Sequence, residues 1–266
     1  MLIYSQIINQ EAIMKRFERP FIPEAGNNVP VHAPLIPTPF APYQCENNRG
    51  LTVYIKVKPE VIKKYLENTP FEYVDNTVMV YIQDFTNTDR CGFWDCGVVC
   101  TAKYKDVYGG YFLFEYEDVD YSIAAGRELW GYPKKYADIN LVEHTDKIVG
   151  TAIKDGVEII RMEFDKKEVC DAQKPDAKFV PHLLLHTVPN GDGPGIFSQR
   201  VMARDTSPDF RTRIFKTGNA TLSLRPAAND ALDEFASGEI ICGTYTVGEY
   251  FATEENGWAK VLDTII

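Results

Sequence analysis

The sequence predicts a mostly β protein of the α+β class: an antiparallel, cone-like or partly open β-barrel with short peripheral helices. Three observations predict it. Runs in which β-branched and aromatic residues alternate with polar ones recur from Leu51 to Phe251. Candidate helices are few, short and never alternate with strands as βαβ units do. Turn signals such as Asp155-Gly156 fall between consecutive runs, as hairpins require.

Taken in order, residues 1–40 read as a short helix around Ile7-Ile8 and Ala12-Ile13-Met14, then an extended arm. Pro20, Pro23, Pro30, Pro34, Pro37 and Pro39 each remove a backbone donor and block helix in that arm. Leu51 to Val57 is a strand. Pro59 starts a helix carrying Val61, Ile62, Tyr65 and Leu66 at helical spacing. Thr77 to Ile82 and Phe93 to Lys105 are strands, the latter with Gly97 as a candidate bulge, and Gly109-Gly110 is a turn before the strand Tyr111 to Tyr116. Ser122 to Leu129 is a short helix. Strands follow at Tyr136 to Val142, Ile148 to Ile153, Val157 to Phe164, His182 to Val188, Ile196 to Ala203, Ala220 to Leu224 and Glu239 to Phe251, with a helix over Asn229 to Phe235. No repeat or long linker divides residues 1–266, which read as a single domain.

The chain has 266 residues, 45% of them hydrophobic and 25% charged, so a sizeable core is available. A formal net charge of −10 argues against a nucleic-acid surface. An anionic substrate would need local cations. The six cysteines are few and lie mostly in apolar runs, which fits a reduced, cytoplasmic setting. No secretory h-region and no membrane-length apolar run is seen. The proline-rich arm makes a homo-oligomer the expectation.

The chemistry concentrates in Ala125 to Tyr136. Gly131 suits a helix end because it tolerates a positive φ, and Pro133 forbids continuation. Lys134 and Lys135 therefore sit on a stiff junction beside Trp130, Tyr132 and Tyr136. Neighbours in an extended segment point to opposite faces, so one lysine can face inward and the other away. A desolvated amine is pushed toward its neutral, nucleophilic form. The plainer reading of the pair is two solvated lysines at a strand start. His182 and His186, at i, i+4 spacing, lack the glutamate of a zinc protease and read as core or surface histidines. Cys91, Cys96 and Cys100 fit no metal-cluster spacing. Val188 to Gly195 lacks the Gly-Lys-Ser/Thr ending of a phosphate loop and reads as a hairpin loop.

Gly126-Arg127-Glu128-Leu129 followed by Tyr132-Pro133-Lys134-Lys135 resembles the signature of the acetoacetate decarboxylase family. Asn48-Arg49 before a strand and Pro189-Asn190-Gly191-Asp192-Gly193 resemble it in order and spacing as well, so the similarity runs from about Arg49 to the C-terminus. The resemblance implies that Lys134 forms a Schiff base with a β-keto acid, that Lys135 is the adjacent cation, and that the chemistry needs no metal or organic cofactor. Lysine activation by burial or a neighbouring cation is familiar from this family. Arg49 is implied as the carboxylate clamp, for which a planar guanidinium is suited, and Trp130 and Tyr132 as substrate-lining residues. Asp95 falls where the family carries an active-site glutamate; a second family glutamate falls near Val80, in a strand without acids. These two departures keep open an aldolase-dehydratase that condenses pyruvate with an aldehyde through the same imine. A non-catalytic domain binding a small acid is the third reading. Glu128 is read as structural.

Overall fold

The computed structural model describes residues 28–30, 33–36, 41–169 and 173–266. The helix and most of the arm expected over 1–40 lie outside the described residues. The strands are β1 Tyr43–Lys56, β2 Glu72–Asp84, β3 Trp94–Tyr104, β4 Val107–Glu117, β5 Lys134–Tyr136, β6 Asp138–Glu143, β7 Lys147–Lys154, β8 Val157–Val169, β9 His182–Pro189, β10 Ile196–Arg204, β11 Phe210–Leu224, β12 Glu239–Ala252 and β13 Lys260–Thr264. The α-helices among the described residues are α1 Pro59–Leu66 and α2 Asp120–Ala125. Among the described residues, no helix is long and apolar enough to cross a membrane.

All the strands belong to one sheet, ordered β13-β10-β9-β4-β3-β2-β1-β12-β11-β8-β7-β6, with β5 added beside β4. It does not close. Its ends are β13 and β6, and it curls so that β6–β8 lie across β1–β3; a Cβ on Gly150 of β7 would come within 2.8 Å of Ile82 on β2. The pairings are antiparallel except for two on β4. There β9 runs parallel to its start, at Gly110 and Tyr111, and β5 parallel to its end, at Glu115 to Glu117.

Period-two alternation makes two cores from one sheet. One face of β1–β4 carries Leu51, Val53, Ile55, Val78, Val80, Ile82, Cys96, Val98 and Tyr116, packed against Leu141, Ile148, Ile160 and Met162 of the folded-over strands. Each fully buried aliphatic side chain here contributes roughly 1.5–3 kcal/mol. The opposite face carries Tyr54, Tyr81, Val99 and Phe112, joined by Trp130, Tyr132, Leu184 and Met202. This second face holds the cavity described below.

The predicted mostly β fold is the observed one. Helix α1 starts at Pro59 and buries Ile62 and Leu66. Asp155 and Gly156 turn a hairpin with φ of 52° and 78°. Elsewhere the local reading differs. The hairpin before β4 turns at Lys105, with φ 52°, not at Gly109-Gly110. Those glycines lie inside β4 because the chain entering β9 passes over them: a Cβ on Gly109 would stand 2.0 Å from the Pro181 carbonyl oxygen. The expected bulge at Gly97 is absent. The irregularity lies on β4, where Val98 opposes Phe114 and Val99 opposes Phe112, so Leu113 is one residue extra. Residues 229–235 form no α-helix, only a 3₁₀ turn at Leu232–Phe235.

Candidate active site

Helix α2 ends in a single wide turn, Gly126–Trp130, with π-type bonding, and Gly131 closes it at φ 85°. Turns of this kind recur at functional sites. The Gly131 N–H donates to the carbonyls of Gly126 and Arg127, and the Arg127 guanidinium donates to the Lys134 carbonyl at 3.2 Å. Glu128 keeps its side chain in solvent. The motif thus fixes the backbone on which the lysines ride.

Strand β5 then sets their directions. Lys134 pairs with Glu115 and Lys135 with Tyr116, so each lysine shares the face of its partner. Lys134 is 8% exposed. Its Nζ donates to Glu117 Oε1, lies 3.7 Å from Glu115 Oε1, and stands 5.1 Å from the centre of the Tyr132 ring. Lys135 leaves on the other face and meets Asp230 Oδ1 at 2.5 Å.

The floor of the cavity follows from register. Gln83, Asp95 and Glu117 lie side by side across β2, β3 and β4; Tyr81, Gly97 and Glu115 form the next row. The Tyr81 hydroxyl donates to Asp95 Oδ1 at 3.0 Å. Gly97 leaves the space that this ring crosses, since a Cβ there would lie 3.1 Å from it. The far wall is β9 and β10, where His182 pairs with Arg204. Arg204 is 7% exposed, its guanidinium carbon 4.0 Å above the Trp130 ring, and its Nε and Nη2 have no hydrogen-bond partner among the described residues. His182 Nδ1 and the Tyr132 hydroxyl are 2.7 Å apart.

Lys134, Arg204, Tyr43 and Phe93 stand between two hollows. The smaller, about 60 Å³, is walled also by Glu117, Ser122, Ala125 and Trp130. The larger, about 300 Å³, is walled also by Asp95, Glu115, Tyr81, Tyr132 and His182.

Burial by itself lowers the pKa of Lys134, as the sequence predicts. The carboxyls of Glu117, Glu115 and Asp95 outweigh it, and the net direction is upward. Burial raises those acids in turn: Asp95 to about 7, with Lys134 opposing the rise, and both glutamates above their usual range. Full ionisation would leave this desolvated group with three negative charges against one positive. Burial therefore retains protons on the carboxyls while the amine shares its own with Glu117. Burial, then the Arg204 charge, brings His182 down to about 3, which keeps it neutral.

The structure brings Lys134, Asp95, Trp130 and Tyr132 around the hollows. Arg49 and Lys135 are not among their lining residues. Arg49 shares the face of Leu51, opposite Gly50 and Thr52, and binds Asp84 Oδ2 through Nη2 at 2.5 Å and Nε at 3.1 Å. The residues that sequence reasoning missed are Glu115, Glu117 and Arg204. Two carboxylates at alternate positions of the aromatic run Tyr111 to Glu117 were the available signal for the first two. Val80, where a second acid was sought, points into the apolar core.

Gly126 sets the lysine's position. A Cβ there would lie 2.4 Å from Lys134 Cδ and 2.6 Å from Cε. The Gly126 backbone is helical, so alanine is unstrained and only the lysine must move. Gly126→Ala is expected to lower Tm, because the displaced Lys134 gives up buried contacts with Glu117 and Glu115, and to lower any turnover that depends on Lys134 about 10- to 100-fold. Thermal unfolding and kcat measured on the same preparation check this.

A family model described as acetoacetate decarboxylase matches residues 28–255. The acetoacetate decarboxylase of Paraburkholderia xenovorans (strain LB400) is 32% identical over 205 residues, 75% of this chain and 79% of that one. Among solved structures, one from structural studies of acetoacetate decarboxylase superposes with a TM-score of 0.77 at 21% identity, covering 95% of this chain and 98% of the other. The enduracididine biosynthesis enzyme MppR complexed with pyruvate superposes with a TM-score of 0.68 at 15% identity, covering 90% and 97%.

Proposed function

We propose, from the premise that this chain belongs to the acetoacetate decarboxylase family, that it is a carboxy-lyase releasing CO2 from a small β-keto acid such as acetoacetate through an imine on Lys134. One observation carries the reading: a buried amine and a buried guanidinium with two unpartnered nitrogens wall the same cavity. That pair matches the ketone and the carboxylate of one small substrate.

In this reading Lys134 passes its ammonium proton to Glu117 and its lone pair attacks the ketone carbon. A protonated carboxyl, Asp95 or Glu115, gives its proton to the carbinolamine hydroxyl, and water leaves an iminium ion. Arg204 orients the substrate carboxylate. Its stacking on Trp130 keeps the clamp apolar on one side, so the carboxylate is positioned without full solvation. The C–C bond breaks, CO2 departs, and the electron pair moves into the enamine. The α-carbon then takes a proton from the same acids, and hydrolysis frees the ketone and the amine. Lys135, bound to Asp230, supports the β5 backbone rather than the amine's charge state. The residues named work by positioning, electrostatics and proton transfer.

Aldol condensation of pyruvate with an aldehyde is the second reading. The size of the larger hollow favours it, since a second carbonyl compound has room beside a bound keto acid. Borohydride reduction in the presence of acetoacetate or pyruvate, with peptide mapping, tests both. A reduced adduct on Lys134 with acetoacetate, accompanied by CO2 release, supports the decarboxylase. An adduct with pyruvate and aldehyde consumption without CO2 supports the condensation. No adduct with either leaves a binding domain.

A further inference from the structure

The larger hollow is too roomy for acetoacetate. With the carboxylate on Arg204 and the ketone on Lys134, only the ketone's other substituent remains to be housed, and in acetoacetate that is a methyl group. A cavity of about 150 Å³ with apolar walls accommodates benzene. The hollow of about 300 Å³ holds that much and as much again for the keto-acid portion.

The walls also have the right chemistry on one side. Beyond the row of Tyr81 and Glu115 lies a row without charge: Met79, opposite Val99, which opposes Phe112. Phe112 stands edge-on to Tyr132, with centroids 5.1 Å apart at 86°, and to His182 at 4.8 Å and 70°. Val180 sits at the rim, 38% exposed. These faces and edges receive another aromatic ring in the offset or T-shaped arrangements that such rings prefer. A methyl group would leave most of that apolar surface uncovered.

We propose that the substrates of this site are β-keto acids carrying a benzene-sized apolar group on the ketone carbon, 3-aryl-3-oxo acids, with Met79, Phe112 and Tyr132 forming the ring's pocket. The proposal rests on the lysine-imine decarboxylase reading and narrows its substrate. The chemistry balances as before: the aryl keto acid and one proton yield the aryl methyl ketone and CO2, with no other reactant.

The test compares 3-oxo-3-phenylpropanoate with acetoacetate on the full chain, following CO2 release above the uncatalysed rate, with borohydride mapping in parallel. A kcat/KM at least 10-fold higher for the aryl acid is expected, with an adduct on Lys134 from both ketones. Equal or better use of acetoacetate, with its adduct formed, overturns the proposal and leaves the decarboxylase reading standing. No adduct from either overturns both. Met79→Trp, which fills the apolar end, is expected to lower the ratio of the two kcat/KM values at least 10-fold. Met79→Phe serves if the larger variant does not fold. An unchanged ratio in a folded variant overturns the pocket assignment.

Discussion

Lys134→Ala is expected to abolish decarboxylation, by on the order of 10⁴-fold or more in kcat, and to remove the borohydride adduct entirely. No neighbouring amine can substitute, because Lys135 points to the other face and is held by Asp230. The same substitution leaves Glu117, Glu115 and Asp95 buried without their cation. Breaking a buried pair by removing one partner costs about 3–5 kcal/mol. That loss has a defined pH dependence. Burial raises Asp95 to about 7, so the folded chain retains a proton that the unfolded chain releases near pH 4. Such a group costs stability as pH climbs from about 4 to about 7, and Lys134 is the main influence limiting the cost. Without the lysine the penalty grows, so the variant's Tm deficit will be larger at about pH 8 than at about pH 5. A deficit independent of pH would show that the carboxyls do not sense the amine.

Arg204→Leu is expected to lower kcat/KM by on the order of 10² to 10³, most of it in KM. In the proposed reading the guanidinium holds the carboxylate of the bound keto acid, a charge that fades as CO2 departs, so its loss appears chiefly in binding. Arg204→Lys should recover only part of the loss, since an ammonium offers neither the fork geometry nor the flat surface that stacks on Trp130. Arg49→Ala provides the contrast. It strips the charge-assisted bonds from Asp84, which is 6% exposed, so the loss of about 1.5–3 kcal/mol falls on Tm rather than on KM. Steady-state kinetics and thermal unfolding of the three variants separate the two arginines.

Much of the fold was legible because it is local. Alternation marked the strands, Pro59 the helix start, Asp155-Gly156 a hairpin, and Gly131 with Pro133 the corner before the lysines. The opposite facing of Lys134 and Lys135 also follows from strand geometry alone. What could not be read is which face of each strand borders the hollow. Arg49 carries the right chemistry but shares the side of Leu51; Arg204, about 150 residues further along, reaches the cavity because β10 pairs with β9. The amine's charge state was equally out of reach. Burial was foreseeable, but the offsetting carboxyls come from β4, and no local pattern ties that strand to β5. Gly109-Gly110 misled for a related reason: its glycines answer to a passing chain segment, not to a turn.

The extra residue at Leu113 has a consequence for how this enzyme can change. It resets parity halfway along β4, so that Phe112 before it and Glu115 and Glu117 after it all look into the hollow. Pair that position in a regular strand instead and the later half turns over: two carboxyls would be driven against Ile82 and Val98, and Tyr116 would swing out in their place. Point substitutions can retune the acids one at a time, and a one-codon deletion of Leu113 would make the strand regular with both carboxyls still facing inward.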